Sequence, residues 1–379
     1  MDLELNATQQ AVQETARRFG QDKLVPKARE RDRTEQFPFE ELKALAELGL
    51  LGVNIPEELG GAAAGVVAYS LAMMELAAAD ASVSVAVAVS NMCAELIAAY
   101  GSDAIKKKYV PRITSGDAIA GAFALSEPHA GSDPAAMRTF AEKKGDRYVI
   151  NGSKQWITSG QHAGVMVVWA KTSKDDGHKG ISAFVVEGGT KGLIPGKPEE
   201  KMGLHGSNTV GLTFEDCEVP AENVLGEIGG GFKLAMTALN GGRIGIASQA
   251  CGIARAAIEA SARYAKERHA FGSPIGDFQA IKWFLADMKV KHETSRLLTL
   301  RAAWLKEHGK PFVREASMAK LHATESAVWI ADKAVQIHGG YGYIDEFPVE
   351  RYVRDARATP IYEGTNQIQR VVIARELLK

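Results

Sequence analysis

Cysteine is scarce. Cys93, Cys217 and Cys251 are the only three in 379 residues, too few and too widely spaced for a disulfide framework or a CxxC redox centre. They read as ordinary thiols of a reducing compartment. An excess of one charge is missing as well: 45 Lys and Arg against 46 Asp and Glu leave a net charge of −1. With no basic stripe and no acidic tail, a nucleic acid partner is not expected. No GxGxxG follows a strand pattern and there is no P-loop, so nicotinamide dinucleotides and nucleoside triphosphates have no motif to hold them. None of the nine histidines stands in HExxH or a similar metal spacing, and no metal is expected. Uninterrupted apolar runs are also absent. The most apolar stretch, Ala81 to Tyr100, is broken by Ser82, Ser84, Ser90, Asn91 and Glu95. It reads as a buried helix in preference to a membrane span, although the alternating Ser/Val register from Ser82 to Val89 also suits a strand. The start, Met1-Asp2-Leu3-Glu4-Leu5-Asn6, is neither a basic apolar leader nor an Arg/Ser-rich presequence. The expectation is a bacterial cytoplasmic protein, or a mitochondrial matrix protein in its mature form. No internal repeat or low-complexity tract is seen.

What is present is a globular composition, 46% hydrophobic and 24% charged, in a chain long enough for two or three domains. The first third shows helical spacing. Ala11, Val12, Thr15, Ala16 and Phe19 form a stripe that should end at Pro26. Phe39 to Leu50, Tyr69 to Ala79, Val83 to Tyr100 and Ser102 to Ile113 predict further helices. Near Gly121 the pattern changes to strands. Tyr148-Val149-Ile150, Asn151-Gly152 and Lys154 to Thr158 predict a hairpin, because Asn-Gly suits a primed two-residue turn. Gly164 to Ala170, Gly180 to Val186 and Val210 to Glu215 are further short β-rich runs. From Phe232 helical spacing returns, with a long helix closed at Gly272-Ser273-Pro274, a second through Ile281 to Leu298 and a third over Ala316 to Ile337. The expected domains are a helical 1–118, a β 119–228 and a helical 229–379, an α+β chain.

One carboxylate stands out. In Thr359-Pro360-Ile361-Tyr362-Glu363-Gly364-Thr365-Asn366-Gln367 a lone Glu lies among apolar residues in a turn shaped by Pro360 and Gly364, just before a helix that Thr365 can cap. Partial desolvation raises the proton affinity of such a group and suits a general base, while a simple capping or dipole role is the alternative. Four more segments keep order and distance with it. They are Phe123-Ala124-Leu125-Ser126-Glu127-Pro128-His129-Ala130-Gly131-Ser132-Asp133, Lys154-Gln155-Trp156-Ile157-Thr158, Lys266 to Gly272, and Gln336-Ile337-His338-Gly339-Gly340-Tyr341-Gly342. Taken together the chain resembles the acyl-CoA dehydrogenases almost end to end. The run Gly242 to Ala250 resembles the short-chain, butyryl-type branch.

The resemblance implies an α–β–α architecture, FAD as cofactor, an acyl-CoA substrate, an electron-transfer flavoprotein as acceptor and a homotetramer. It implies that Glu363 takes the α-proton and that Gly242 stands where some relatives carry the base. It assigns Phe123, Leu125, Ser126, Gly131 and Ser132 to a flavin-contacting segment, and Trp156, Ile157 and Thr158 to the face of the flavin ring. Arg268, Phe271, Phe278 and Gln279 match positions that reach FAD across a subunit boundary. Gln336, Ile337, Gly339 and Gly340 match a second pyrophosphate site, and Thr365 and Gln367 match FAD-holding positions. Ser132, Asn240, Arg243, Glu363 and Gly364 match positions beside the CoA thioester. From the residues alone, Trp156 also suits a hairpin core, Arg268 a helix-end cation and Arg243 a pair with a helix carboxylate. Arg351, Arg354 and Asp355 read as an ion-pair network. A straight C4–C6 thioester is the expected substrate, with a branched short acyl group second. Leu76 to Ile105 contains no Lys or Arg, which disfavours a distal carboxylate. An oxygen-using enzyme of the same fold and a non-catalytic assembly protein stay open.

Overall fold

The computed structural model describes residues 4–379. The chain begins with six α-helices: α1 (Ala7–Phe19), α2 (Val25–Thr34), α3 (Phe39–Glu47), α4 (Gly65–Ala79), α5 (Ala81–Tyr100) and α6 (Asp103–Thr114). Asn6 caps α1 through a reciprocal capping box with Gln9, Asp80 caps α5 and Ser102 caps α6. The Ser/Val alternation is therefore helical, with Ala81 to Val87 buried on every side. Two helix ends differ from the sequence reading. Pro26 does not stop the first helix, because a π-turn at Gly20–Leu24 intervenes and leaves the proline in the first turn of α2, where its missing N–H is harmless. Helix α3 ends at Glu47, short of Leu50, because Gly49 turns left-handed and the Leu50 N–H closes back on Leu45.

An eight-stranded sheet follows: β1 (Gly121–Ala124), β2 (Phe140–Lys144), β3 (Arg147–Thr158), β4 (Val165–Lys171), β5 (Ile181–Glu187), β6 (Leu193–Pro198), β7 (Thr209–Pro220) and β8 (Val224–Leu225). Strands run in the order β6-β7-β3-β2-β4-β5-β8, with β1 parallel to β4. The expected Asn151-Gly152 hairpin does not form. β3 passes straight through it, paired with β2 on one side and β7 on the other. Asn151 is tied to Asp216 of β7 by side chain and backbone, and Gly152 lies against Thr139. The reversal falls earlier, at Gly145, whose φ of 63° supplies the turn between β2 and β3.

The last part is helical: α7 (Gly231–Glu267), a two-stranded ribbon β9 (His269–Ala270) and β10 (Ser273–Pro274), then α8 (Gln279–Glu307), α9 (Val313–His338), α10 (Val349–Ala358) and α11 (Asn366–Leu377). Helix α7 stops at Glu267, ahead of the expected Gly272. Phe271 and Gly272 are consecutive left-handed residues that form the tip of the ribbon. Helices α7, α8 and α9 share a core rich in alanine with α4. Gly252 allows α7 to approach α4 so closely that a Cβ there would lie 2.4 Å from the Met74 carbonyl oxygen.

Candidate active site

Glu363 sits in the turn between α10 and α11. The Asn366 N–H donates to the Pro360 carbonyl at 2.9 Å and closes the turn, and Thr365 caps α11 by accepting from Ile368. Both Glu363 (φ 55°) and Gly364 (φ 84°) are left-handed. That conformation is strained for Glu and free for Gly. The Glu363 Oε2 atom is buried and has no hydrogen-bond partner. Burial lifts its carboxyl to about 7, opposed by the charges of Arg243 and Lys320. The turn is set against α7 at Gly242, where a Cβ would fall 2.6 Å from Glu363 Oε2 and 3.1 Å from Met92 Sδ. Glycine at 242 is what leaves room for this carboxylate.

Arg243 is buried beside it. Its Nη1 donates to Asn240 Oδ1 at 2.7 Å and to Ser317 Oγ at 3.1 Å, while Nε has no partner. Among the described residues no helix carboxylate pairs with it, and burial brings its guanidinium down to about 10. Glu363, Gly364, Asn240 and Arg243 therefore meet in one place. Gln367 is exposed on α11 one turn from the base.

A second group lines the edge of the sheet. The Ser126 carbonyl accepts from the Gln155 N–H at 2.9 Å, which fastens the segment after β1 to β3. Phe123 packs at a tilt of 46° against Trp169 with ring centroids 4.3 Å apart, Leu125 and Ile157 are buried, and Thr158 is half-buried. A register shift between Lys154 and Ile157 bulges β3 against β7. Trp156, at φ 62°, is thereby turned outward and left 61% exposed, so it is not a core aromatic. Gly131 and Ser132 are exposed, and a Cβ on Gly131 would meet no atom within 4 Å.

A third group surrounds a cavity of about 530 Å³ lined by Tyr264, Arg268, Ile337, Gly339, Gly340 and Tyr341 among others. The Arg268 guanidinium lies over the Tyr341 ring at 5.4 Å. A Cβ on Gly339 or Gly340 would meet nothing within 4 Å. Gln336 and Gln279 are exposed nearby in sequence, at the end of α9 and the start of α8. Phe271 is 98% exposed and edge-on to Phe278 at 6.0 Å. None of the cavity-lining residues comes from β1 or β3, so one chain carries two separate surfaces. An outward Trp beside polar backbone suits a planar aromatic ring. A cation with bare glycines suits a pyrophosphate. Both halves of a flavin dinucleotide fit what is present.

Three lysines with long-range partners, Lys320 and Lys154 buried and Lys306 half-buried, escaped the sequence reading. Lys320 on α9 donates to the Gly364 carbonyl and to Asn366 Oδ1, each at 2.9 Å. Its signal is a lone Lys on the apolar face of Ala316, Ala319, Ala323 and Ala327. Lys154 and Glu127 form a buried pair at 2.8 Å that braces the segment after β1, since Glu127 also accepts from the Arg138 and Thr139 N–H groups. Lys306, delivered from α8, pairs with Glu95 beside Gly241, one residue along α7 from the base contact. Of the expected network of Arg351, Arg354 and Asp355, Arg354 is ion-paired, but to Asp32 and Glu350, while Arg351 lies over the Tyr352 ring and Asp355 accepts from the Leu204 N–H.

Family models described as the N-terminal, middle and C-terminal domains of acyl-CoA dehydrogenase match residues 6–117, 122–217 and 229–378. The chain is 49% identical to the short-chain specific acyl-CoA dehydrogenase, mitochondrial, of Rattus norvegicus, over 100% of this chain and 92% of the relative. Among solved structures it matches a chain in a structure described as "Electron transferring flavoprotein of Acidaminococcus fermentans: Towards a mechanism of flavin-based electron bifurcation". The TM-score is 0.99 at 46% identity, with 100% of both chains covered. It also matches butyryl-CoA dehydrogenase from Megasphaera elsdenii with a TM-score of 0.98 at 44% identity, again over 100% of both chains. With three domain models matched in order, a shared three-domain fold and a relative 49% identical over the whole chain, the chain belongs to the acyl-CoA dehydrogenase family.

Proposed function

We propose that this chain catalyses the α,β-dehydrogenation of a short-chain acyl-CoA thioester to the trans-2-enoyl-CoA, with FAD as cofactor and an electron-transfer flavoprotein as acceptor. The observation that carries the reading is the Glu363 carboxylate: buried, without a partner at Oε2, and lifted to about 7. A group in that state has a free acceptor atom and enough basicity to take a proton at neutral pH. FAD, held by the segments around Ser126 and Trp156, would supply the two-electron acceptor for the β-hydrogen. The residues do the rest. Glu363 takes the α-proton at Oε2, Arg243 and Lys320 favour its ionised form, and its own backbone N–H is the candidate donor to the thioester carbonyl.

Phe123 to Ser126 and Trp156 to Thr158 would hold the flavin ring, and Gly131 and Ser132 its phosphates. Gln336, Gly339, Gly340 and Arg268 would take the pyrophosphate of a flavin bound by a neighbouring copy, with Phe271, Phe278 and Gln279 at its adenosine end. Thr365 and Gln367 complete the set. That division of labour supports a homotetramer. The three thiols are buried and unpaired, which suits a reducing compartment such as the bacterial cytoplasm or the mitochondrial matrix.

Glu363→Gln should keep bound FAD and acyl-CoA affinity while kcat falls by about 10²–10⁴-fold. Near-normal turnover would move the base elsewhere. For chain choice, the measurement is kcat/KM for butyryl-, hexanoyl-, octanoyl-, isobutyryl- and glutaryl-CoA with one acceptor. A maximum at C4–C6 is expected. Glutaryl-CoA should be poor, because the cation nearest the base contact from α8, Lys306, is already neutralised by Glu95. A maximum at octanoyl-CoA defeats the short-chain reading, and one at isobutyryl-CoA favours the branched alternative.

A further inference from the structure

Lys320 occupies a place where packing asks for a small apolar residue. Ala316, Ala319, Ala323 and Ala327 around it on α9 are fully buried, and so is Lys320 itself. An ammonium in such surroundings is costly unless its donors are satisfied. It gives one hydrogen bond to the Gly364 carbonyl at 2.9 Å and one to Asn366 Oδ1 at 2.9 Å. Asn366 is fixed in turn by donating from Nδ2 to Thr324 Oγ1 at 3.0 Å, and the Gly364 carbonyl also accepts from Gln369 Nε2 at 2.9 Å. The residue after the base and the first residue of α11 are thus fastened to the same point of α9. The left-handed pair Glu363 and Gly364 ends on the first of those anchors, a conformation that persists only where its surroundings over-determine it.

We infer that Lys320 is a positioning residue for the base. It pins the Gly364 carbonyl so that the strained turn keeps Glu363 against Gly242, and it presents a positive charge to the Glu363 carboxylate. The inference rests on the reading of Glu363 as the base.

The charges around this pair come from every element packed on it. Glu363 faces Arg243 of α7 and Lys320 of α9, with Tyr69 of α4, Cys93 of α5 and Tyr362 of its own turn held neutral by burial. Lys320 faces Glu363, Arg243 and Glu325, and burial brings its ammonium down to about 7. Removing Lys320 takes away one of the two cations that favour the ionised base, so the proton affinity of Glu363 rises.

The test uses the FAD-loaded protein with Lys320→Met, Lys320→Gln and Glu363→Gln, assayed with butyryl-CoA from pH 6 to 10. In Lys320→Met the acid limb of kcat/KM should move up by about one pH unit. Its kcat should fall about tenfold or more with KM within about threefold. Lys320→Gln should show the same shift with a smaller loss of kcat, because its amide still donates to the Gly364 carbonyl. Independently of turnover, the infrared band of the protonated carboxyl, identified by its absence in Glu363→Gln, should titrate at higher pH in both Lys320 variants. Folded variants with an unshifted limb and an unshifted band would overturn the inference. Failure of both variants to fold would also overturn it and assign Lys320 to folding alone. High activity in Glu363→Gln would instead remove the base reading itself, whatever the Lys320 variants do.

Discussion

At the scale of single residues, this chain uses burial to set proton affinities, and Glu363 is not the only carboxyl treated so. Asp355 on α10 is buried, and Oδ1 accepts from the Leu204 N–H at 2.6 Å where the loop before β7 docks. Burial, helped by the nearby Asp80 and Asp32, lifts it to about 7 against the pull of that N–H and of Arg351. An unfolded Asp titrates near 3.9. Between about pH 4 and 7 the unfolded chain has released a proton that the folded chain keeps, so the contribution of Asp355 to stability falls as pH rises through that window and then levels off. Asparagine keeps the acceptor and removes the charge. Asp355→Asn is therefore expected to be more stable than the parent at pH 8, by an amount of order 1–3 kcal/mol, with the gap closing toward pH 4.5. Melting temperatures at the two pH values decide it, and an equal gap at both would contradict a neutral buried carboxyl.

Elements show where local pattern is decisive and where it is not. The turn that carries Glu363 is legible in the sequence because Pro360, Gly364 and Thr365 mark a capped turn within a few residues, but choosing a base over a simple cap needs the four motifs elsewhere in the chain. Helix α5 is legible too, since its length outweighs the Ser/Val alternation. Asn151-Gly152 misleads for the opposite reason. The pair suits a tight turn, but β3 finds partners on both sides, and two ladders outweigh one turn preference. Lys320, Lys154 and Lys306 stay hidden because their partners lie 44, 27 and 211 positions away in the chain, beyond any local periodicity. Trp156 is turned outward by a bulge that no residue type announces. The same contrast yields an expected outcome for α7. Helix propensity alone favours Gly252→Ala by about 1 kcal/mol, but the added Cβ would meet the Met74 carbonyl oxygen at 2.4 Å and Ala77 Cβ at 2.7 Å. Backbone on α4 cannot move aside as a side chain can, and overpacking costs about 1–3 kcal/mol. A net loss is expected, read as a lower denaturant midpoint. A raised midpoint would show that α4 and α7 separate freely.

For the whole molecule the open question is what covers its exposed apolar surface. Trp283, Val290 and Leu297 stand at seven-residue intervals on α8 and so share one face, each between 40% and 63% exposed. Beyond them Phe271 is almost bare, and Tyr343 is exposed near the cavity of Arg268, Gly339 and Gly340. An exposed apolar helix face of this kind marks an interaction surface. Fully burying each large side chain is worth about 1.5–3 kcal/mol. If four copies associate through these helices, the Phe271 tip and the Arg268 cavity of one chain come to serve the flavin resting on Trp156 of another, which explains why one chain carries two separate surfaces. The wild-type protein should then scatter light as roughly four times its 40.7 kDa chain mass. The double variant Trp283→Glu with Val290→Glu, which introduces charge into the stripe far from Glu363 in sequence, should shift to smaller species. It should also lose FAD in parallel, by absorbance at 450 nm, because phosphate contacts supplied by the neighbour disappear with the assembly. A dissociated variant that retains its full flavin would show that one chain completes the site alone. A wild-type monomer with full FAD and turnover would defeat the tetramer outright.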